Sequence, residues 1–125
     1  MAKTLTDLFH NQLQDAYSAE TQITAALPKM AKAATSPELK AGFEQHLLET
    51  KNQITRLEKV CQLVGCKTGG NTCEATEGLV AEGEEVIAMG LDPDALDAGL
   101  IAAAQAVEHY EIAVYGTLCT FAKQL

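Results

Sequence analysis

The sequence is poor in aromatic side chains, and no segment alternates polar and apolar residues in the way a half-buried strand does. Only 5% of the residues are Phe, Trp or Tyr, while 47% are hydrophobic. Sheets favour aromatic and β-branched residues, whereas this chain is rich in Ala, Glu, Leu and Gln, which suit packed helices. The composition therefore predicts an all-α protein, and a length of 125 residues predicts a single domain over residues 1–125.

Positive charge is also scarce. Lys and Arg number 9 against 17 Asp and Glu, which gives a formal net charge of −8. Such a chain repels nucleic-acid phosphates and anionic membrane surfaces, so we expect neither as a partner. The longest uncharged apolar run, from Ala98 to Val107, is too short to cross a bilayer. The first residues lack a hydrophobic signal segment, and we therefore expect a cytoplasmic protein.

The cysteines do not form a recognisable zinc or disulfide motif. Cys61, Cys66, Cys73 and Cys119 occur without a Cys-x-x-Cys pair or a nearby histidine. In a reducing cytosol we expect free thiols. Cys66 and Cys73 flank the Gly69-Gly70 turn and could approach each other as a zinc or redox pair, but packing as small apolar residues is the favoured interpretation.

A capping box indicates where the first helix begins. Thr4 is followed three residues later by Asp7, which predicts a helix over about residues 5–34. Pro28 lies inside this span. Because proline lacks an amide hydrogen and clashes with the preceding turn, we expect it to kink the helix or split off its last turns.

Further start and stop signals predict three more helices. Ser36-Pro37 and Asp92-Pro93 each supply an N-cap followed by proline, which opens the second and fourth helices. Gly65 ends the second helix, the glycine-rich stretch 66–72 connects two hairpins, and a third helix spans about 73–89. The prediction is an antiparallel four-helix bundle.

Acids or a histidine interrupt the apolar stripe of each predicted helix near its middle. Counting residues from the turns places Glu20 and Glu49 at levels that differ by roughly 3 Å. The same count excludes Glu84, keeps Glu74 in reserve, and leaves His109 at the margin. The residues that converge at one depth are Glu20, His46, Glu49, Glu77, Glu108 and Glu111.

These residue types predict a metal centre. Carboxylates with one imidazole are hard or borderline ligands that suit iron or manganese. Four or more acids near one point repel one another, and two divalent ions would neutralise them. Di-iron bundles take one Glu from each of two helices and a Glu-x-x-His pair from each of the others. Here the second helix has the reversed His46-x-x-Glu49, and the fourth has Glu108-x-x-Glu111, without a histidine.

Longer motifs resemble a known family. The most specific is Val-Glu-His-Tyr-Glu-Ile-Ala-Val-Tyr-Gly-Thr-Leu at residues 107–118, and the others lie at 15–22, 26–34, 36–41, 46–50 and 73–83. In these motifs the chain resembles the ferritin-like YciE/YciF-type bacterial stress proteins. The resemblance implies a ferritin-like bundle, a homodimer, a di-iron site on the six residues above, and a role in the stress response.

Three functions remain open at this point. The first is a di-iron oxidoreductase that reacts with dioxygen or peroxide, with two iron ions or, alternatively, manganese or a mixed-metal pair. The second is an iron-sequestering protein. The third is a non-enzymatic helical stress or scaffold protein, in which the polar core residues only specify helix pairing.

Overall fold

The computed structural model describes residues 2–125, which fold into four α-helices. Within this range there is no strand, and no helix is both long and apolar enough to cross a membrane. The all-α, ferritin-like four-helix prediction is confirmed, and the bounds of the first and third helices differ from the predicted ones by one residue at most. The helices are α1 (Leu5–Ala33), α2 (Pro37–Val64), α3 (Glu74–Ala88) and α4 (Pro93–Gln124).

Local hydrogen bonds explain where the helices begin and end. The Thr4 side chain accepts from the Asp7 amide, and the Asp7 carboxylate accepts from the Thr4 amide at 2.8 Å. The side chains of Ser36 and Asp92 cap α2 and α4 by accepting from the Leu39 and Ala95 amides, each before a proline in the first turn. Gly65 ends α2 with a φ of 73°, a left-handed conformation that glycine adopts without steric cost.

The expected split of the first helix at Pro28 is wrong, because α1 continues through this residue to Ala33. Pro28 lies on the exposed side, where water can hydrate the Thr24 carbonyl that loses its amide partner. On the opposite side, Ile23 and Leu27 before the proline are buried in the core, and Met30 after it packs against the same apolar cluster.

The first helix organises the packing, because α1 lies against each of the other three helices and α3 pairs with α4. Among the described residues, α2 packs closely only with α1. Two apolar clusters fill the core. One contains Phe9, Leu13, Ala16, Leu57, Cys61 and Leu118, and the other contains Ile23, Leu27, Ala34, Phe43 and Leu100.

Several polar contacts connect the hairpins, and those of Asp97 and Cys73 involve the backbone of the partner segment or of Cys73 itself. At one end of the bundle, the Asp97 carboxylate accepts from the Thr35 and Ser36 amides at 2.8 and 3.0 Å, and from the Thr35 hydroxyl at 2.7 Å. Further along the bundle, the Cys73 amide donates to the Ser18 hydroxyl oxygen at 2.9 Å. These bonds fix the level at which α4 and α3 pass α1.

Candidate metal centre

Buried polar residues separate the two apolar clusters. Glu20 on α1 lies between the residues that α1 gives to each cluster and is only 1% exposed. Glu111 on α4 is 9% exposed, and Thr50 on α2 is fully buried. Charged groups rarely occupy a core without a partner. The partners of Glu20 and Glu111 therefore determine the charge and the chemistry of this polar layer between the two clusters.

Glu111 pairs with the imidazole of His46. His46 Nε2 lies 3.7 Å from Glu111 Oε1, and both side chains are largely withdrawn from solvent. The polar contact with Glu111 is the largest effect on His46 and raises the pKa of the imidazole in spite of burial. For Glu111, burial alone would raise the pKa, but the contacts with His46 and Glu20 outweigh it and lower the pKa of this carboxyl.

Glu20 is the partner that remains protonated. Burial, and then the adjacent Glu111 carboxylate, raises the pKa of Glu20 to about 9. At neutral pH the metal-free layer therefore contains a neutral Glu20 beside an ionised Glu111, and the contact with Glu111 favours the protonated form of His46. Even so, Glu20 Oε2 is buried and finds no hydrogen-bond partner among residues 2–125.

Glu20, His46 and Glu111 form one buried group. Two polar atoms close to this group also lack a partner within the described chain, namely Gln53 Oε1 and the Tyr115 hydroxyl. Burial, followed by the charges of Glu20 and Glu111, raises the pKa of Tyr115. Neither residue was predicted to belong to the site, although each lies one turn beyond a predicted ligand, Gln53 after Glu49 and Tyr115 after Glu111. Buried polar atoms without a partner are uncommon and mark a place where an ion or a water molecule can bind.

Glu49 and Glu108 stand at the entrance to the buried group. Both side chains are exposed, and together with His46 and Glu111 they line a surface depression of about 380 Å³ between α2 and α4. Their charges also contribute to the raised pKa of His46. The depression is open because α2 packs closely with α1 and not with α4.

Glu77 is not brought to this group. It lies on the exposed face of α3, and the residues of that helix that are buried in the bundle are Thr76 and Gly83. Cys73 is the N-cap of α3, and its buried Sγ accepts from the Thr76 amide, which turns Thr76 inward and Glu77 outward. The structure therefore brings Glu20, His46 and Glu111 into contact, and it leaves Glu77 apart. Glu49 and Glu108 lie in the adjacent depression.

The other candidates lie outside the group. Glu84 is mostly exposed and pairs with Lys29 at 3.4 Å, which agrees with its predicted boundary position. Glu74 and His109 are exposed. Tyr110 also lies outside the group, because its hydroxyl is 3.0 Å from Cys73 Sγ and donates to Asp15.

The arrangement is not a preformed coordination sphere. Within residues 2–125, no three His, Cys, Asp or Glu side chains are grouped closely enough to hold a metal ion. The donor set nevertheless fits a hard or borderline metal, since it contains four carboxylates and one imidazole. The unpartnered oxygen of Glu20 is a donor already buried at the centre of this set.

Comparisons with known proteins agree with the fold. Residues 4–125 match the family described as "Domain of unknown function (DUF892)". Protein YciF of Escherichia coli K12 is 48% identical over 124 residues, covering 98% of this chain and 75% of that protein.

Two solved structures are also similar. The crystal structure of the E. coli stress protein YciF matches with a TM-score of 0.94 over 98% of this chain and 78% of the other. YcfI from Rhodopseudomonas palustris gives the same TM-score, coverage and identity of 48%. The family match spans nearly the whole sequence, and the chain therefore belongs to the DUF892 family, together with YciF-type bacterial stress proteins.

Proposed function

We propose that this protein is a stress-related ferritin-like protein that binds two metal ions, iron in the first instance, between α1, α2 and α4. The observation that carries the proposal is Glu20, a fully buried carboxyl beside Glu111 with an oxygen that has no partner in the described chain. The proposed ligands are Glu20, His46, Glu49, Glu108 and Glu111. Glu77 is omitted because it faces solvent on α3.

Charge supports two divalent ions over one. The four carboxylates carry four negative charges when ionised, and two divalent ions would neutralise them. To bind, Glu20 must release its proton and His46 must become neutral, so metal uptake is coupled to proton release. Glu49 and Glu108, which are exposed at the entrance, can turn inward at little cost because neither side chain is packed in the core.

Bound iron would supply one-electron chemistry with dioxygen or a peroxide. The chain's own contribution is to position the ligands and to limit the access of water. Tyr115 places its hydroxyl close to the Glu20 and Glu111 carboxyls, where it can donate to whichever oxygen is free. The depression between α2 and α4 leaves a route for a small oxidant from solvent.

Metal analysis of protein purified without chelator, followed by anaerobic titration with Fe²⁺ and with Mn²⁺, tests the proposal. We expect about two ions per chain for the wild type, and a loss of at least about tenfold in affinity for Glu111→Gln and for Glu49→Gln. Glu84→Gln is the matched control, because Glu84 is a surface carboxylate in an ion pair outside the site. Absence of metal from the wild type in both measurements would refute the metal centre.

A scaffold function is the second candidate, and it is favoured by the self-contained charge balance of the layer. A neutral Glu20 and a His46–Glu111 pair need no metal to compensate their charge, and such buried pairs can specify how helices align. If this is the whole function, Glu20→Leu should stabilise the fold and leave the biological activity intact. Under the metal proposal, the same variant loses metal.

We also propose a homodimer in which the second copy packs on Leu48 and Ile112, beside the depression between α2 and α4, and leaves its opening free. Leu48 and Ile112 lie next to the entrance acids and are 58% and 68% exposed, which is unusual for large apolar side chains. Light scattering should give a dimer mass, and Ile112→Lys should shift it toward the monomer. A mass much larger than that of a dimer, as of a protein shell, would instead favour iron sequestration. The cytoplasmic location stays a prediction.

A further inference from the structure

The carboxyl end of α2 brings two thiols together. Cys61 lies in the last turn of α2, and Cys66 follows two residues after its end. The Cys66 amide donates to the Cys61 carbonyl at 2.8 Å, across the left-handed Gly65. This is the backbone arrangement in which the residue beyond the glycine packs back onto the last turn of the helix. Cys66 accordingly packs against the apolar cluster that contains Cys61.

The two thiols differ in their access to solvent. Cys61 is 1% exposed, whereas Cys66 is half-buried, and both line a surface depression with Gln62 and Lys67. Burial is the main cause that raises the pKa of the Cys61 thiol to about 11, and the adjacent Cys66 adds to it. Cys66 is therefore the thiol that a reagent from solvent meets first, and Cys61 lies directly behind it.

The pair that the sequence left open as an alternative to simple apolar packing was a different one, Cys66 with Cys73. Cys73 is buried at the start of α3, where its Sγ lies 3.0 Å from the Tyr110 hydroxyl and 3.2 Å from the Thr76 hydroxyl. Its side chain is thus occupied by contacts within the bundle. Cys119 is exposed on α4.

We propose that Cys61 and Cys66 form a redox pair that a hydroperoxide converts into an intramolecular disulfide. The Cys66 thiolate attacks one oxygen of hydrogen peroxide, the O–O bond breaks, and the departing hydroxide takes up the Cys66 proton as water. Cys66 is then a sulfenic acid. The Cys61 sulfur attacks the Cys66 sulfur, the S–S bond forms, the S–O bond breaks, and a second water leaves with the Cys61 proton.

The balance is two thiols oxidised and one peroxide reduced to two waters. A dithiol reductant reverses the reaction by exchange. Closure removes the thiol contacts of Cys66 Sγ with the His10 and Lys67 carbonyl oxygens, at 3.5 and 3.3 Å, and so alters how the end of α2 is held against α1. The redox pair is independent of the proposed metal centre, because none of its atoms belongs to the α2–α4 site.

The test uses chelator-treated protein carrying Cys119→Ser, so that the exposed thiol cannot link two chains. After hydrogen peroxide, free thiols are blocked, the protein is digested without reductant, and each peptide that carries a disulfide, within itself or to another peptide, is identified by mass spectrometry. We expect one link, Cys61 to Cys66, the loss of two titratable thiols, and their return with dithiothreitol. A link to Cys73, or three thiols intact at a peroxide dose that oxidises Cys119 of the wild type, would overturn the proposal.

Single variants separate the two roles. Cys61→Ala should accumulate a sulfenic acid on Cys66 that dimedone traps, because the resolving thiol is gone. Cys66→Ser should consume peroxide at least about tenfold more slowly, because the remaining partner is buried. Circular dichroism of both variants confirms that each is folded before it is scored. Equal rates for Cys66→Ser and its Cys119→Ser parent would contradict the assignment of Cys66 as the attacking thiol.

Discussion

His46 Nε2 lies 3.7 Å from Glu111 Oε1, and this pair connects α2 to α4 at the level where Glu20 enters the core. Among the described helices, α2 packs closely only with α1, so the contact bridges an otherwise open side of the bundle. Glu20 lies next to Glu111 and keeps its proton, because burial and the Glu111 carboxylate raise its pKa to about 9. In the metal-free protein, protons on Glu20 and His46 thus offset the negative charge that metal cations would offset in the proposed site.

The close approach of α3 and α4 depends on Gly99. A Cβ added to this residue would lie 2.6 Å from Val86 Cγ1, too close for any real contact. We expect Gly99→Ala to destabilise the fold by about 1 kcal/mol, because overpacking of about 1–3 kcal/mol exceeds the gain of about 1 kcal/mol in helix propensity. Chemical denaturation measures the difference.

A double variant and a second glycine control this prediction. Val86→Ala should relieve the clash, so that Val86→Ala/Gly99→Ala shows a favourable coupling of about 1 kcal/mol. Gly116 also lies in α4, but a Cβ there would meet nothing within 4 Å. Gly116→Ala should therefore stabilise the fold by about 0.5–1 kcal/mol. Equal effects at both glycines would mean that the α3–α4 contact is looser than the structure shows.

Leu100 is the most buried apolar residue of α4, with 0% exposure, and it belongs to the cluster with Ile23, Leu27 and Phe43. We expect Leu100→Ala to lower the free energy of unfolding by about 2–5 kcal/mol, because it removes buried methyl groups and leaves a cavity. Ile112→Ala on the same helix is the control. Its side chain is mostly exposed, so the change measured on the monomer should stay within about 0.5 kcal/mol.

Asp97 holds the turn between α1 and α2 against the start of α4. Its carboxylate accepts three hydrogen bonds from Thr35 and Ser36, and the bonds from Thr35 are the main cause that lowers the pKa of Asp97. A depressed pKa means that this contribution is present above the ordinary pKa of an aspartate and is lost as the pH falls through the lowered value.

Asp97→Asn should therefore speed hydrogen exchange of the Thr35 and Ser36 amides at neutral pH by about tenfold, since a neutral acceptor binds them less strongly. Asp94→Asn is the control, because it removes an acid from the first turn of α4, just before Asp97, without touching the turn between α1 and α2. In acid, the wild type should approach the behaviour of Asp97→Asn. Unchanged exchange in Asp97→Asn would show that the backbone alone holds this turn.

Local signals in the sequence were sufficient for the helix bounds, because the caps at Thr4, Ser36 and Asp92 act within their own first turn. The orientation of α3 was not predictable in the same way. Val80 and Ile87 belong to the helical stripe through Glu77 and also to the one through Thr76, so periodicity alone does not choose between them. Packing decided, because small residues such as Gly83 let α3 approach Ala103.

In the candidate site, too, some features were predictable from the sequence and others depended on tertiary packing. Counting residues from the turns predicted that Glu20, His46 and Glu111 would converge, because that count depends only on helix rise and turn position. Their use as metal ligands stays a prediction. The sequence does not identify Gln53 and Tyr115 as part of the site, because a polar side chain on an apolar stripe is equally compatible with simple packing. Only the three-dimensional structure shows that their polar atoms are buried without a partner.

Protonation of the buried group predicts how the metal-free protein responds to pH. Glu20 has a pKa of about 9 in the fold against 4.5 for an ordinary glutamate, so between these values the folded chain holds a proton that the unfolded chain has released. Stability therefore falls as the pH rises through this window. The raised pKa of His46 acts in the same direction above 6.5, and the lowered pKa of Glu111 acts only below 4.5.

Glu20→Gln isolates the buried acid in this response. Thermal melts in chelator should show the wild type losing more than about 5 °C between pH 5 and pH 9, with a shallower loss for Glu20→Gln. The amide cannot ionise, yet it can donate to Glu111 as the protonated acid does. The slope that remains reports the raised pKa of His46. Glu84→Gln, on the surface, should keep the wild-type slope. Parallel curves for Glu20→Gln and the wild type would mean that Glu20 is already ionised in the fold, and its unpartnered oxygen would then need another explanation.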